Sequence, residues 1–299
     1  MRPPHLRTSA VSTQQTDLYQ VLRQRALRAL EVLGPLRIAR SLLVDPTPSA
    51  SRDAEFGLLT LECGAAGLYY AWLGGDQKSL PDRGQSLCLD DAPVAEILDF
   101  LLSDSDAERS LGTAALNACT AALFERAGFS PPDATNAFGG LRFDDTDILG
   151  MVGNFPPLVR QARARKLPVR IVEKKPHMVQ NAENLVISLD PAVLNPCSKV
   201  VCTGSTLINH SLEQTLAACP RGADIVLLGP TVGCFPDDFF ERGVVSLAGT
   251  AIADGFAAHD VLAAGGRLGD VSRKTVITPS DYPGFETLIS EAARKNPGR

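Results

Sequence analysis

The residues best placed to do chemistry lie between Ile148 and Pro176, where an apolar run, a glycine turn, a basic helical stretch and a second apolar run end on Glu173. Gly150 and Gly153 let the backbone turn tightly and approach a ligand closely. Glu173 follows Gly153 by twenty residues. That is the spacing at which a dinucleotide-binding sheet places the acid that holds a ribose. The turn reads Gly150-Met-Val-Gly153-Asn154-Phe155 and runs into Pro156 and Pro157, so the third glycine of the usual fingerprint is missing. The pattern therefore supports a Rossmann-like sheet more strongly than it supports a nicotinamide cofactor.

Three further loops should meet that unit at the carboxyl edge of a parallel sheet. Thr203-Gly204-Ser205-Thr206 follows one apolar run and leads into Asn209 and His210. Hydroxyls and free amides there either cap a helix or hold an anion, and both readings stay open. Gly229-Pro230-Thr231 ends the next run, and Gly249-Thr250 with Asp254 ends the one after. Imidazoles titrate near neutrality and ligate metals, which makes His177 and His210 candidates, His210 being the better placed for a metal. The chain carries no HExxH, CxxC, GxSxG or P-loop pattern, so no preformed zinc site, serine elbow or Walker ATP site is expected.

The elements around these loops divide the chain. Asp17–Leu43 has apolar residues at helical spacing. Phe56–Leu73 reads as two strands around Gly64–Gly67, and Ala92–Ser103 and Glu108–Arg126 read as helices. Gly128–Asp147 has the Pro/Asp/Gly/Asn composition of a linker. Beyond it strands are expected at Ile148–Val152, Val169–Glu173, Lys199–Cys202, Asp224–Leu228 and Val244–Leu247. Helices are expected at Pro156–Arg165, Thr206–Ala218, Asp237–Arg242 and Asp254–Ala264. Alternation of this kind makes a parallel sheet covered on both faces. The expected division is a flexible tail over 1–16, an α+β unit over 17–143 and an α/β unit over 144–299, which suits a chain of 299 residues.

Bulk properties narrow the partners. A net charge of −5 gives no basic surplus for nucleic acid. No run approaches the ~20 apolar residues of a membrane span, and the polar first twenty residues lack a secretory core. Seven cysteines without a CxxC pair read as reduced thiols of a cytoplasmic protein.

Several blocks together resemble a known family. GMVGNFPPLV with VEKKP, CTGSTLINHSL, LLGPTVGCFPDDFF and GVVSLAGTAIAD are similar to the DUF364 family, whose label proposes heavy-metal chelation. RSLGTAALNA over Arg109–Ala118 resembles the DUF4213 domain that precedes it. The resemblance implies an enolase N-terminal-like α+β domain before a Rossmann-like domain, with a pocket in the cleft between them. By motif it places Gly153, Asn154, Phe155, Glu173, Thr203, Gly204, Ser205, Asn209, Gly229, Pro230 and Thr231 in that pocket, and Asn117 on its far wall. The position after Asn209, small in the family, is His210 here. A bulkier titratable group would narrow the pocket or add a metal ligand. The expected partner is a small anionic or metal-chelating molecule, with a divalent metal ion or a nucleotide as cofactor and a homo-oligomer allowed. The alternative is an enzyme that uses NAD(P) or S-adenosylmethionine at Gly150–Glu173. Whether the chain is catalytic stays open.

Overall fold

The computed structural model describes residues 17–44, 55–71, 80–81 and 87–295. The expected tail at 1–16 and the end of the hairpin at Trp72 and Leu73 lie outside the described residues.

Helix α1 (Leu18–Leu33) starts where the Asp17 carboxylate accepts the Tyr19 amide, and it buries Leu18, Leu22, Ala26 and Ala29 at three- and four-residue spacing. It stops ten residues before the expected Leu43, because Gly34 takes φ 91° and Pro35 follows. The chain turns instead into strand β1 (Ile38–Leu42). Strands β2 (Phe56–Leu61) and β3 (Ala66–Tyr70) form the expected hairpin, and the small sheet runs β1-β2-β3, antiparallel throughout. Helix α2 (Val94–Leu98) continues as a 3-10 turn to Leu102.

Helix α3 (Asp106–Ala127) is the hub. Ser105 caps its first turn and Gly128, in the left-handed region at φ 79°, ends it. Sixteen of its 22 residues are buried, so it is a core helix enclosed on nearly all sides rather than an amphipathic surface helix. Small residues allow this. A Cβ at Gly67 of β3 would lie 2.0 Å from the Ala114 carbonyl oxygen, so the strand touches the helix backbone directly.

The larger sheet begins with β4 (Leu149–Val152), α4 (Pro156–Ala164) and β5 (Val169–Val172). Next come β6 (Gln180–Ala182), β7 (Leu185–Ser188) and β8 (Lys199–Thr203). Two short helices, α5 (Ser205–Ile208) and α6 (Leu212–Ala218), replace the single helix expected over Thr206–Ala218. The break falls at His210, whose φ of 52° no helix accommodates. Then follow β9 (Asp224–Leu228), α7 (Asp237–Phe240), β10 (Val244–Ile252) and α8 (Gly255–Ala263). Strand β11 (Ser272–Ile277) and helix α9 (Phe285–Arg294) complete the described chain.

Eight strands are ordered β11-β10-β9-β8-β4-β5-β7-β6. The six from β10 to β7 are parallel, while β11 and β6 run antiparallel at the two edges. The sheet is thus mostly parallel. Its order reverses between β4 and β8, which opens the crevice where such sheets hold ligands. The segment with linker composition is packed onto this sheet. Phe138 is fully buried among Leu149, Val169 and Val226, and Ser246 donates to the Gly139 carbonyl at 2.7 Å. Glycine and asparagine serve there as close-packing and turn residues rather than as flexible joints.

Candidate functional site

A cavity of about 510 Å³ lies between α3 and the carboxyl edge of the larger sheet. Its near wall is Ala65–Leu68 on β3 and its turn, with Asn117, Ala121, Phe124 and Glu125 on one stripe of α3. The far wall is Pro230 and Val232–Cys234 after β9, Gly249–Ala253 on β10, and Arg273, Thr275 and Ile277 on β11. Most of the lining is small or apolar. Its charged groups are Glu125, which is exposed, and Arg273, which donates to the Asp133 carboxylate at 2.7 Å and to the Ser130 hydroxyl at 2.9 Å. Burial pushes the Cys234 thiol up to about 12, so it stays protonated near neutrality.

Asn117 is the central polar group, 4% exposed. Its Nδ2 donates to the Leu68 carbonyl at 3.0 Å and to the Thr231 carbonyl at 2.9 Å, tying the small sheet to the loop after β9. Its Oδ1 is buried with no partner.

Of the residues expected in a pocket, Asn117 and Pro230 line this cavity, and Thr231 stands buried directly behind it. The others meet different partners. Arg109 of α3 donates to the Ile208 carbonyl at 2.5 Å, and the Tyr19 hydroxyl of α1 donates to the Thr206 carbonyl at 3.3 Å. Two helices therefore cover the loop after β8. Within it Thr203 Oγ1 accepts the Ser205 amide, the Gly204 amide bonds the Leu228 carbonyl, and Asn209 Oδ1 accepts from Ser211. The bonds of Thr203 and Asn209 are local turn bonds of the plain capping kind, while the Gly204 amide continues the pairing of β8 with β9.

The glycine turn after β4 is likewise engaged. Glu173 accepts the Asn154 amide at 3.2 Å and the Lys174 amide at 2.8 Å, so its carboxylate occupies the place a ligand anion would take. Pro156 and Pro157 bring no N–H to the start of α4, and the Leu158 and Val159 amides both return to the Phe155 carbonyl. Gly153 sits against Thr203 at the end of the neighbouring strand, whose Cγ2 would be 3.1 Å from an added Cβ, so a larger residue would crowd this turn. Phe155 packs on the sheet core, Asn154 borders a separate surface groove beside Arg160 and His177, and Asp254 caps α8 by accepting the Phe256 and Ala257 amides. Gly229 at φ 143° makes the turn that carries Pro230 and Thr231.

His210 lies outside the cavity. Its Nε2 is 2.9 Å from the Leu101 carbonyl and its ring stacks on Tyr19 at 3.7 Å between centroids. Desolvation, helped by Arg109, lowers its pKa. Among the described residues no group of three or more His, Cys, Asp or Glu side chains is gathered to hold a metal ion. The side-chain donors around the cavity are one exposed carboxylate, one thiol, the Asn117 amide and the Ser130, Thr250 and Thr275 hydroxyls, a set without the clustered His, Cys or carboxylate ligands that hold a resident transition-metal ion.

Gly249 and Thr250 of β10, expected at the sheet edge, line the cavity, while sequence reasoning missed the wall contributed by β11. The alternation of Arg273, Thr275 and Ile277, three residues facing one side of β11, was the available signal.

Comparison with known proteins fits this layout. Residues 136–279 match the family model described as "Putative heavy-metal chelation", DUF364. That segment is similar to the DUF364 family. An uncharacterized protein of Methanocaldococcus jannaschii is 28% identical over 162 residues, which cover 54% of this chain and 61% of the relative. The chain thus spans less than two thirds of that relative's length. Two solved structures of DUF364 proteins of unknown function share the fold. The one from Pyrococcus horikoshii has a TM-score of 0.61 at 20% identity, over 86% of this chain and 99% of that one. The one from Desulfitobacterium hafniense has a TM-score of 0.60 at 19% identity, over 88% and 100%. The DUF364 description names chelation and no ligand. No helix among the described residues is long and apolar enough to cross a membrane.

Proposed function

We propose that this chain binds a small metal-chelating molecule in the cavity between α3 and the β9–β11 edge, and that any metal arrives as the cargo of that molecule. The observation that carries this is the cavity itself, at about 510 Å³ large enough for a small organic ligand. The DUF364 description supplies the chelation chemistry, and the mismatched donor set moves the metal from the protein to the ligand. Division into an enolase N-terminal-like unit at 17–143, related to DUF4213, and a Rossmann-like unit at 144–299 belongs to the same reading. It is supported by the small antiparallel sheet followed by the reversing sheet order. A cytoplasmic setting is supported by four buried free thiols, Cys119, Cys197, Cys202 and Cys234. The nucleotide reading loses its support, because Glu173 and the two prolines use the groups that would hold a phosphate.

The test is native mass spectrometry with elemental analysis on protein purified without added chelators. A stoichiometric organic species is expected, with metal present only alongside it. The Ala121→Trp variant, which fills the cavity, should lose that species while keeping a cooperative melt. A stoichiometric metal without an organic partner, or a species retained in Ala121→Trp, sinks the proposal.

A further inference from the structure

We infer that the cavity takes a zwitterion of the α-amino-acid class with an apolar side chain, its carboxylate on Arg273 and its ammonium on Glu125. This rests on the cavity being the ligand site. Two walls carry the inference, and both run from buried to exposed. Where β10 pairs with β11, Leu247 is opposite Ile277, Gly249 opposite Thr275 and Ala251 opposite Arg273. Opposed residues and alternate residues of a strand share one face, and all six line the cavity. Along β11, Ile277 is 6% exposed and Thr275 5%, while the Arg273 side chain is 41% exposed. The residue across from Arg273 is alanine, so no large side chain competes with the guanidinium there.

On α3, Asn117, Ala121 and Glu125 follow one another at four-residue spacing along one stripe. That stripe runs from Asn117, 4% exposed, to Glu125, which is exposed. It rises about 12 Å, and β11 spans about 14 Å from Ile277 to Arg273. Each wall therefore ends on a charge after a similar length, and the two charges have opposite signs. One rim joins them. The Gly128 amide returns to the Glu125 carbonyl at 3.0 Å, the Ser130 hydroxyl accepts from Arg273 at 2.9 Å, and Gly128 and Ser130 both line the cavity.

Neither charge is used up by the other. Glu125 has no ion-pair partner among the described residues. Of the five N–H groups an arginine carries, three in Arg273 meet the Pro131 carbonyl, the Asp133 carboxylate and the Ser130 hydroxyl, which hold the guanidinium in place. The other N–H groups are left for a ligand carboxylate, the shape a guanidinium matches best. A simple anion would meet repulsion from Glu125, and a simple cation repulsion from Arg273. A molecule with one charge of each sign satisfies both. Away from the rim the cavity is bounded by Leu247, Ile277, Phe124 and Phe129, which suit an apolar side chain and would penalise a third charge. An α-amino acid is also a chelator, because its amine nitrogen and carboxylate oxygen can close a ring on a metal ion.

The experiment is isothermal titration of the full chain with L-phenylalanine and with L-leucine, each beside its analogue without the amine and its analogue without the carboxylate. For L-phenylalanine these are 3-phenylpropanoate and 2-phenylethylamine. At least one amino acid should bind, about fivefold or more tightly than either of its analogues, the scale of a hydrogen bond to a charged group. Arg273→Gln should weaken the amino acid and the carboxylate analogue and leave the amine analogue unchanged. Glu125→Gln should weaken the amino acid and the amine analogue and leave the carboxylate analogue unchanged. Asp133→Asn cuts the same ion pair outside the lining, and it should not weaken the amino acid. A loss in Asp133→Asn equal to that in Arg273→Gln gives the arginine a merely structural role and overturns the inference. Equal binding of the amino acid and both analogues also overturns it, as does a bound species in native mass spectrometry that lacks the amine or the carboxylate, and all three leave the cavity reading intact. If no amino acid binds, the inference falls; the cavity reading falls with it only when wild-type protein also carries no organic species that Ala121→Trp loses.

Discussion

His210 shows how a titratable side chain can look functional and do structural work. Its ring lies on Tyr19, its Nε2 meets the Leu101 carbonyl, and Arg109 stands near, with Asp17 and Asp106 opposing that charge. The folded chain therefore favours neutral imidazole, with a pKa below the usual value of about 6.5. An unfolded chain takes up a proton that the folded chain refuses. The stabilising effect is full above about pH 6.5 and is lost as pH falls through and below it. Melting temperature should drop between pH 7.5 and 5.5, roughly the range over which free histidine titrates. His210→Asn, which tolerates the positive φ, should flatten that drop; an unchanged slope would show that His210 does not contribute. At Glu173 the local bonds to the Asn154, Lys174 and Lys175 amides lead to a different expectation. Glu173→Ala should cost about 1 kcal/mol in denaturant titrations and leave ligand content in native mass spectrometry untouched. Loss of the bound species would return Glu173 to the site.

Among the elements, α3 decides where a ligand can go. Its Arg109 and Asn117, two four-residue steps apart, reach the ends of β8 and β9 through the Ile208 and Thr231 carbonyls. The helix seals the crevice over β8 and leaves space beside β10 and β11. Its seat against β3 depends on Gly67, where a Cβ would come 2.0 Å from one backbone atom of α3 and 2.5 Å from another. Backbone cannot step aside as a flexible side chain can. Gly67→Ala should therefore destabilise by about 2 kcal/mol or more and shift the near wall of the cavity. A melt equal to wild type would show that strand and helix are less closely seated than described.

At the scale of the molecule, α1 joins the first part of the chain to the last. Arg25 makes a two-pronged ion pair with Asp238 at 2.5 and 3.2 Å, and the Asp238 side chain is only 4% exposed. Tyr282 and the Phe285 amide bond the adjacent Asp237, and the Arg25 guanidinium lies over the Phe285 ring at 5.2 Å. Removing one partner of a pair this buried strands the other. Arg25→Ala should cost about 3 kcal/mol in chemical denaturation, with α1 gaining amide exchange before the larger sheet does. A loss below about 1 kcal/mol would place the pair among ordinary surface bridges.

Periodicity and turn chemistry in the sequence determined the hairpin at β2–β3, helix α3 and the parallel run of strands, because these follow from contacts close along the chain. The same reasoning overran α1 by missing what Gly34-Pro35 does, and passed over β6, β7, β11 and α9. These strands lie at or beside the sheet edges, where tertiary pairing outweighs local pattern. Asn117 and Pro230 were legible as candidates and both line the cavity, since a polar group in an apolar helix and a Gly-Pro turn at a strand end both need a reason. What the sequence left undecided was which of four glycine and hydroxyl loops stays open. That choice belongs to the tertiary structure. Glu173 turns back onto the Asn154 amide, Tyr19 and Arg109 cover the β8 loop, and the β9–β11 edge keeps a cavity of about 510 Å³. Each closure is made by residues 19 to 187 positions apart, and no local pattern records such contacts.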